Sequence, residues 1–325
     1  MANDITGIHH IGLVVRDMEA ALAAYRRLGF RLGPPAYPAL PPAPGAAPGP
    51  VGAGNTHADF PRSFIELLAP APERQELLPE GARLTPLRVP DGQLAATRAV
   101  ITRTVANLVQ RLQIAEGAHI LVFATRDADA TAARLDAHGI GHSGARSAQR
   151  PIATAGGVVP ADIRFLDVDG PDSPPGMAPE GRVGAAEDAP PELLDAQVGL
   201  RHPNGATGVA EVVVCVGDDQ IRATADRYER LLDRSAVFQG RDAVVDLGGS
   251  RVTVTDADGL AARLPGERPH TVPGLSACAI AVADPAAAEE HLRARGVMVG
   301  RTAEGEPFVP AREALGTALM LRQAD

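Results

Sequence analysis

Lysine is missing from the 325-residue chain, so all 31 residues counted as Lys or Arg are arginine. That excludes lysine Schiff-base chemistry and a Walker-type phosphate loop. Tryptophan is also missing, and three Tyr and seven Phe leave the cores and any pocket wall to Val, Leu, Ile and Ala. Cys215 and Cys278 are the only cysteines, each inside an apolar run. They support neither a disulfide framework nor a cysteine zinc site, and buried, inert thiols are expected. No apolar run approaches the roughly 20 residues of a membrane span, and Met1 to Asp4 lacks the charged start of a signal peptide. A cytoplasmic protein without membrane contact follows. A net charge of −9 with no compact Arg cluster argues against nucleic acid as a partner. There is no Gly-x-Ser-x-Gly elbow and no strand-borne Gly-x-Gly-x-x-Gly, so hydrolase chemistry and a nucleotide cofactor rank low. The abundance of Ala, Arg, Gly and Pro is that of a GC-rich, bacterial genome.

What the chain does have is a repeat. His10-Ile11-Gly12-Leu13-Val14-Val15-Arg16-Asp17 reads as a strand ending in a turn Asp, and the helical pattern Leu22, Tyr25, Leu28 stops at Gly29, 12 residues after Asp17. Ile120 to Asp127 repeats it, with Gly139 again 12 residues on, and so does Ala277 to Val282 with Asp284, Pro285 and Gly296. A third copy in chain order, Glu211 to Asp218, has a longer helix around Tyr228, Leu231 and Leu232. Short strand pairs follow the helices, as in 55–60 with 63–68, 243–247 with 251–255, and 307–309 with 317–321. The expected fold is α+β, four strand-helix-strands (βαβββ-type) modules that must pair to bury their sheet faces. Gln93 to Gln113 is predicted to be an extra helix with Leu94, Ile101, Val105, Leu108 and Leu112 on one side. The Pro- and Gly-rich stretches 33–54 and 170–191 read as irregular surface loops, either connectors or lids.

Three segments resemble the vicinal oxygen chelate superfamily of glyoxalase I, extradiol dioxygenases and bleomycin-resistance proteins. They are Ile8-His9-His10-Ile11-Gly12-Leu13-Val14-Val15-Arg16-Asp17, Phe64-Ile65-Glu66-Leu67-Leu68, and Arg201-His202-Pro203-Asn204-Gly205-Ala206-Thr207-Gly208. The third is similar to the junction of long glyoxalase-like proteins. The resemblance implies two modules per domain, with domains at 1–200 and 201–325. It also implies His10 and Glu66 as metal ligands, and puts Asp188 near a place where long relatives have a ligand His.

The residues give an independent reason to look at the same strand. If Pro61-Arg62 is a two-residue turn, residue 60 pairs with 63 and His57 falls opposite Glu66. His10, His57 and Glu66 then approximate a two-histidine, one-carboxylate set, open to Fe(II), Mn(II), Ni(II) or Zn(II), with Asp188 as a further oxygen ligand. Glu66 and His57 are the expected catalytic residues. Counting back from each turn Asp aligns His10, Ile120, Glu211 and Ala277, so the second module offers Ile where a ligand would complete the site. His119 is expected on the opposite face unless a bulge re-aims it. Thr253 and Leu319 are expected at the places of Glu66, Glu211 as a solvated strand end, and His202 as a turn-stabilising residue. Two functions stay open: an enzyme acting on a small oxygenated or carbonyl-bearing metabolite by lyase, isomerase or dioxygenase-type chemistry, and a protein that sequesters a drug-like molecule. Either leaves a homodimer open.

Overall fold

The computed structural model describes residues 4–90 and 92–324. Four modules of like topology build two curled sheets. The first sheet begins with β1 (Ile5–Val14), α1 (Met18–Arg27), β2 (Ala36–Leu40), β3 (Gly49–Pro50), β4 (Ala53–Asp59) and β5 (Phe64–Pro70). Next, β6 (Arg83–Pro86) and α2 (Leu94–Ile114) lead to the second module: β7 (Gly117–Thr125), α3 (Ala128–Ala137), β8 (Arg146–Thr154), β9 (Gly157–Asp167) and β10 (Arg182–Glu187). The strand order is β3-β2-β4-β5-β1-β7-β10-β9-β8, with β6 added beside β2.

After the short α4 (Pro191–Asp195), the third module runs β11 (Ala206–Cys215), α5 (Ile221–Leu232), β12 (Ala236–Gln239), β13 (Asp242–Asp246) and β14 (Arg251–Thr255). Following α6 (Ala257–Arg263), the fourth comprises β15 (Gly274–Val282), α7 (Pro285–Arg293), β16 (Gly300–Arg301), β17 (Pro307–Val309) and β18 (Ala318–Gln323). This sheet has the order β12-β13-β14-β11-β15-β18-β17-β16. In both sheets the first strands of the paired modules meet antiparallel at the centre, β1 on β7 and β11 on β15.

The repeated Asp and Gly have plain physical roles. Asp17, Asp127 and Asp284 are helix N-caps whose carboxylates accept backbone N–H groups of the first turn. Gly29, Gly139 and Gly296 end those helices at φ +85, +66 and +68, a conformation costly for other residues. In the third module a 3-10 turn over Asp218–Gln220 precedes α5, and Asp233 takes the left-handed position at φ 50, which is where the spacing drifts.

One face of each sheet is covered by the module helices α1, α3, α5 and α7; the other, called the open face below, is crossed in part by α2 in the first sheet and α6 in the second. The helix-covered faces share one continuous core: Ile11, Leu13, Ile65 and Leu121 of the first sheet and Val212, Val214, Val252 and Ile280 of the second belong to the same buried cluster. Cys215 and Cys278 are free and buried.

Several expectations need correcting. Residues 33–54 are not one irregular loop, because they contain β2 and β3. Residues 170–191 contain β10, the last strand of module two, whose Arg-Val-Gly-Ala-Ala-Glu sequence has too few large apolar residues to signal a strand. The register also shows that Met320, opposite Ala279, takes the place of Glu66 in module four, since Glu66 lies opposite Gly12; Leu319 faces the core instead. Glu211 is fully buried, not a solvated strand end.

Candidate functional site

The hairpin geometry predicted for Pro61-Arg62 is present: the backbone N–H of Phe60 donates to Ser63 at 2.8 Å, and His57 pairs with Glu66 across β4 and β5. Period-two alternation then puts Asn55, His57, Phe64, Glu66 and Leu68 on the open face of the first sheet. Asn55 Nδ2 donates to Glu66 Oε1 at 2.7 Å, whereas His57 Nε2 is 3.7 Å from the same oxygen, a charge neighbour and not a hydrogen bond. Burial opposes ionisation of Glu66, but the neighbouring His57, His10 and Asn55 outweigh it and hold the carboxyl at about 2. Glu66 is therefore a fixed negative charge at neutral pH.

Two of the three register shifts between β1 and β7 shape this face. The β1/β7 register slips at His9 and again at His119, each the extra residue on its strand. The second slip re-aims His119 into a cavity of about 580 Å³ on the open face, which it lines with Leu68, Arg182, His142, Met177 and the α2 residues Ile101, Val105 and Leu108. Gly181 has no side chain to obstruct it; a Cβ there would lie 2.3 Å from the His119 carbonyl. Burial, with Arg111 nearby, drops His119 to about 4, so it is neutral at pH 7. Arg182 Nε donates to Asp167 at 2.7 Å. The expected one-sided helix thus roofs this cavity, with Leu112 buried at its end.

The first slip brings His9 beside His10, with their Nδ1 atoms 2.8 Å apart. His10 stacks on Phe64 with ring centroids 4.5 Å apart, and His57 stacks on the same ring at 4.4 Å. Because β5 lies between β1 and β4, Phe64 separates the two histidines. Burial, reinforced by His9, pushes His10 well below the usual histidine range, so its imidazole is neutral.

Asp188 sits elsewhere. Its Oδ2 is 3.1 Å from His9 Nε2 and accepts from Arg150 Nη1 at 3.2 Å, while its Oδ1 accepts the Ala189 N–H. Burial raises the Asp188 carboxyl, but His9 and Arg150 together bring it down to about 2. With His9 it borders a groove of about 980 Å³ at the seam of the two sheets. The proposed ligands His10, His57, Glu66 and Asp188 thus do not converge on one point, and no group of three or more His, Cys, Asp or Glu among the described residues could hold a metal. The equivalent positions do not complete a set either: Ile120 matches His10, and Gly184, opposite Val122, matches Glu66. The residues present do not fit a divalent metal in the manner expected.

On the second open face Glu211, in the place of His10, accepts from Thr253 Oγ1 at 2.5 Å, Arg263 at 2.7 Å and Arg322 at 2.7 Å, and forms an ion pair with Arg251 at 3.0 Å. Burial raises its carboxyl, but the three arginines overcome that and lower it. Val213, Ala277, Ala279, Phe308 and Met320 pack together on the rest of the face. His202 is structural, accepting the Arg31 N–H at Nδ1 and donating from Nε2 to the Asp59 carbonyl.

Asn55, Phe64, His9 and Arg182 were not singled out from sequence. Asn55 and Phe64 were within reach of the same alternation that paired His57 with Glu66. His9 needed the bulge and Arg182 the hidden strand.

The sequence profile of the glyoxalase-like domain matches residues 8–232. No curated protein matches. Among solved structures, a hypothetical protein from Staphylococcus aureus is similar at TM-score 0.56 and 11% identity, covering 98% of this chain and 99% of that one. A triple mutant of 4-hydroxymandelate synthase from Streptomyces coelicolor is similar at TM-score 0.52 and 18% identity, covering 99% and 94%. A Mn(II)-bound glyoxalase from Novosphingobium aromaticivorans follows at TM-score 0.52 and 13% identity, covering 98% and 82%. These likenesses carry the fold, and no helix among the described residues is long and apolar enough to cross a membrane. With a profile spanning more than half its length and four paired modules, the chain belongs to the glyoxalase-like domain family of the vicinal oxygen chelate superfamily.

Proposed function

We propose that the open face of the first sheet binds one small oxygen-bearing metabolite and acts on it by proton transfer, as a lyase or isomerase. The observation that carries this reading is the inequality of the two open faces. The first keeps a cavity of about 580 Å³ beside His119 and Arg182, while the second is filled by the Glu211 network and an apolar cluster. Aliphatic walls with a few convergent polar groups are what a small organic ligand needs. Arg182 and His119 suit an oxygen-bearing head group, and Leu68, Ile101, Val105 and Leu108 suit an apolar body.

Glu66 at about 2 is too weak a base to take a carbon-bound proton. Its part is to hold a fixed negative charge 3.7 Å from His57, which shares the open face beside the cavity and is the group assigned to move the proton. The placement of Phe64 between His10 and His57 does not support a metal centre for dioxygen activation. The same placement favours a second reading, a protein that sequesters its ligand unchanged.

The test is a thermal-shift and calorimetric screen of small keto and hydroxy acids against wild type and Leu68→Trp, which fills the cavity. Saturable binding lost in Leu68→Trp supports the site, and binding retained in that variant overturns it. Solvent deuterium entering the bound ligand, and failing to enter with His57→Gln, supports proton transfer; a ligand recovered without deuterium supports sequestration.

A further inference from the structure

Arg111, on α2, is 7% exposed, and its guanidinium has no hydrogen-bond or ion-pair partner among the described residues; Nε and Nη1 are inaccessible to solvent as well. Such an arrangement is unfavourable. A buried guanidinium loses its hydration without gaining an anion, and arginine cannot relieve this by shedding its proton. The carboxylates nearby are committed elsewhere. Of the two that line the cavity of the first open face, Asp167 accepts from Arg182, and Asp169 accepts the Gly176 N–H at 2.6 Å.

The position of this charge is informative. Arg111 lies one helical turn beyond Asn107 and Leu108, which line the cavity, and it is close enough to His119 on the cavity wall to help keep that imidazole neutral. An uncompensated positive charge therefore stands beside the lining. Arg182 is a cation within the lining itself. Its Nε donates to Asp167 Oδ1 at 2.7 Å, which fixes one edge of the guanidinium, and Nη1 and Nη2 have no partner among the described residues. That free end can take both oxygens of one carboxylate. Leu68, Ile101, Val105 and Leu108 offer apolar contact to the rest of a ligand.

We infer that the cavity selects carboxylic acids with an aliphatic body: Arg182 grips the carboxylate, and Arg111, from beside the wall, supplies the positive charge that the protein leaves uncompensated. This rests on the reading that the cavity is the ligand site, and it narrows the ligand to an anion. Arg182 touches the ligand. Arg111 acts through its field, which a buried setting strengthens and salt screens little.

The test uses α-ketoisocaproate and its amide, which share a shape and differ in charge, with binding read by calorimetry. Wild type should bind the acid about tenfold or more tightly than the amide, as charge-assisted hydrogen bonds imply. Arg182→Gln and Arg111→Met should each bring the two within about threefold by weakening the acid alone, and Arg111→Lys should keep the preference. Ligand-free Arg111→Met should melt at or above the wild-type midpoint, because it removes an unpaired buried charge and keeps a long side chain in place. An amide bound as tightly as the acid, no acid binding in wild type, an acid preference unchanged in either variant, or an Arg111→Met midpoint below wild type overturns the inference. Should Arg182→Gln not fold, the Arg111 variants still decide. Amide binding that equals the acid's and is lost in Leu68→Trp would sink the anion selectivity and keep the cavity as the ligand site. Acid binding retained in Leu68→Trp would sink the cavity reading itself, so the two fail in different ways.

Discussion

Ser63 and Ser250 make the same contact in opposite directions across the seam. Ser250 Oγ accepts the backbone N–H of Ile8 at 3.0 Å, and Ser63 Oγ accepts that of Val209 at 3.1 Å. Each serine precedes the last strand of its own module and satisfies the first strand of the other sheet, just ahead of the bulge. The two halves are thus stitched by an approximate twofold exchange, and a shared core lies alongside it.

Replacing either serine by alanine strands a backbone donor. Ser250→Ala should cost about 1–3 kcal/mol, because an unmet buried N–H bears the full desolvation penalty. Ser63→Ala should cost less, since that contact is only part-buried. Urea unfolding checks both, and the shared core predicts one transition throughout. Two transitions would mean that the halves unfold independently.

Glu211→Ala should be far more damaging than its lack of any proposed role in chemistry suggests. It leaves Arg251, Arg263 and Arg322 facing one another without their common anion. A loss of roughly 3–5 kcal/mol is expected, as for other broken buried ion pairs. Ligand affinity at the first open face should stay unchanged in whatever fraction remains folded, which calorimetry below the thermal midpoint can show.

Gly12 is glycine because of what lies opposite. A Cβ there would meet Ile120 Cβ at 2.8 Å and Glu66 Oε2 at 3.2 Å. Gly12→Ala should destabilise by about 1–3 kcal/mol through overpacking and should weaken ligand binding by displacing Glu66. Gly33→Ala is the control, its nearest neighbour being Thr56 Oγ1 at 4.0 Å, and chemical denaturation should find it near neutral.

Acid should destabilise the fold well before the carboxylates titrate. Burial lowers His119 from an ordinary 6.5 to about 4, so between those values the unfolded chain binds the proton that the folded chain refuses. Stability therefore rises with pH across this window and falls as pH drops from 6.5 towards 4. His119→Gln should remove up to about 3 kcal/mol of the stability change across this window, read from denaturation midpoints at several pH values. Some slope should survive, because His10 and His202 are lowered in the same sense. A slope unchanged in the variant would show that His119 is not held neutral.

Much of the architecture is written locally. The turn Asp followed 12 residues later by Gly marks a capped helix and its left-handed stop, both set by residues within one turn of each other. The pairing of His57 with Glu66 follows from a two-residue turn and strand alternation, again a short-range matter. The long helix between modules one and two was legible from its apolar stripe. The strand at Arg182–Glu187 was not, because glycine and alanine carry no periodic signal, and Arg182 stayed hidden with it.

Which of these side chains meet depends on how the strands are paired. Two bulges, invisible without the register between β1 and β7, brought His9 against His10 and turned His119 into the cavity. The strand order put Phe64 between His10 and His57, and the seam gave Asp188 to His9 and Arg150 instead of to the open face. The modules are legible residue by residue, because caps, turns and alternation act over a few residues. The convergence of site groups depends on where separately coded strands are laid side by side, and no local pattern contains that.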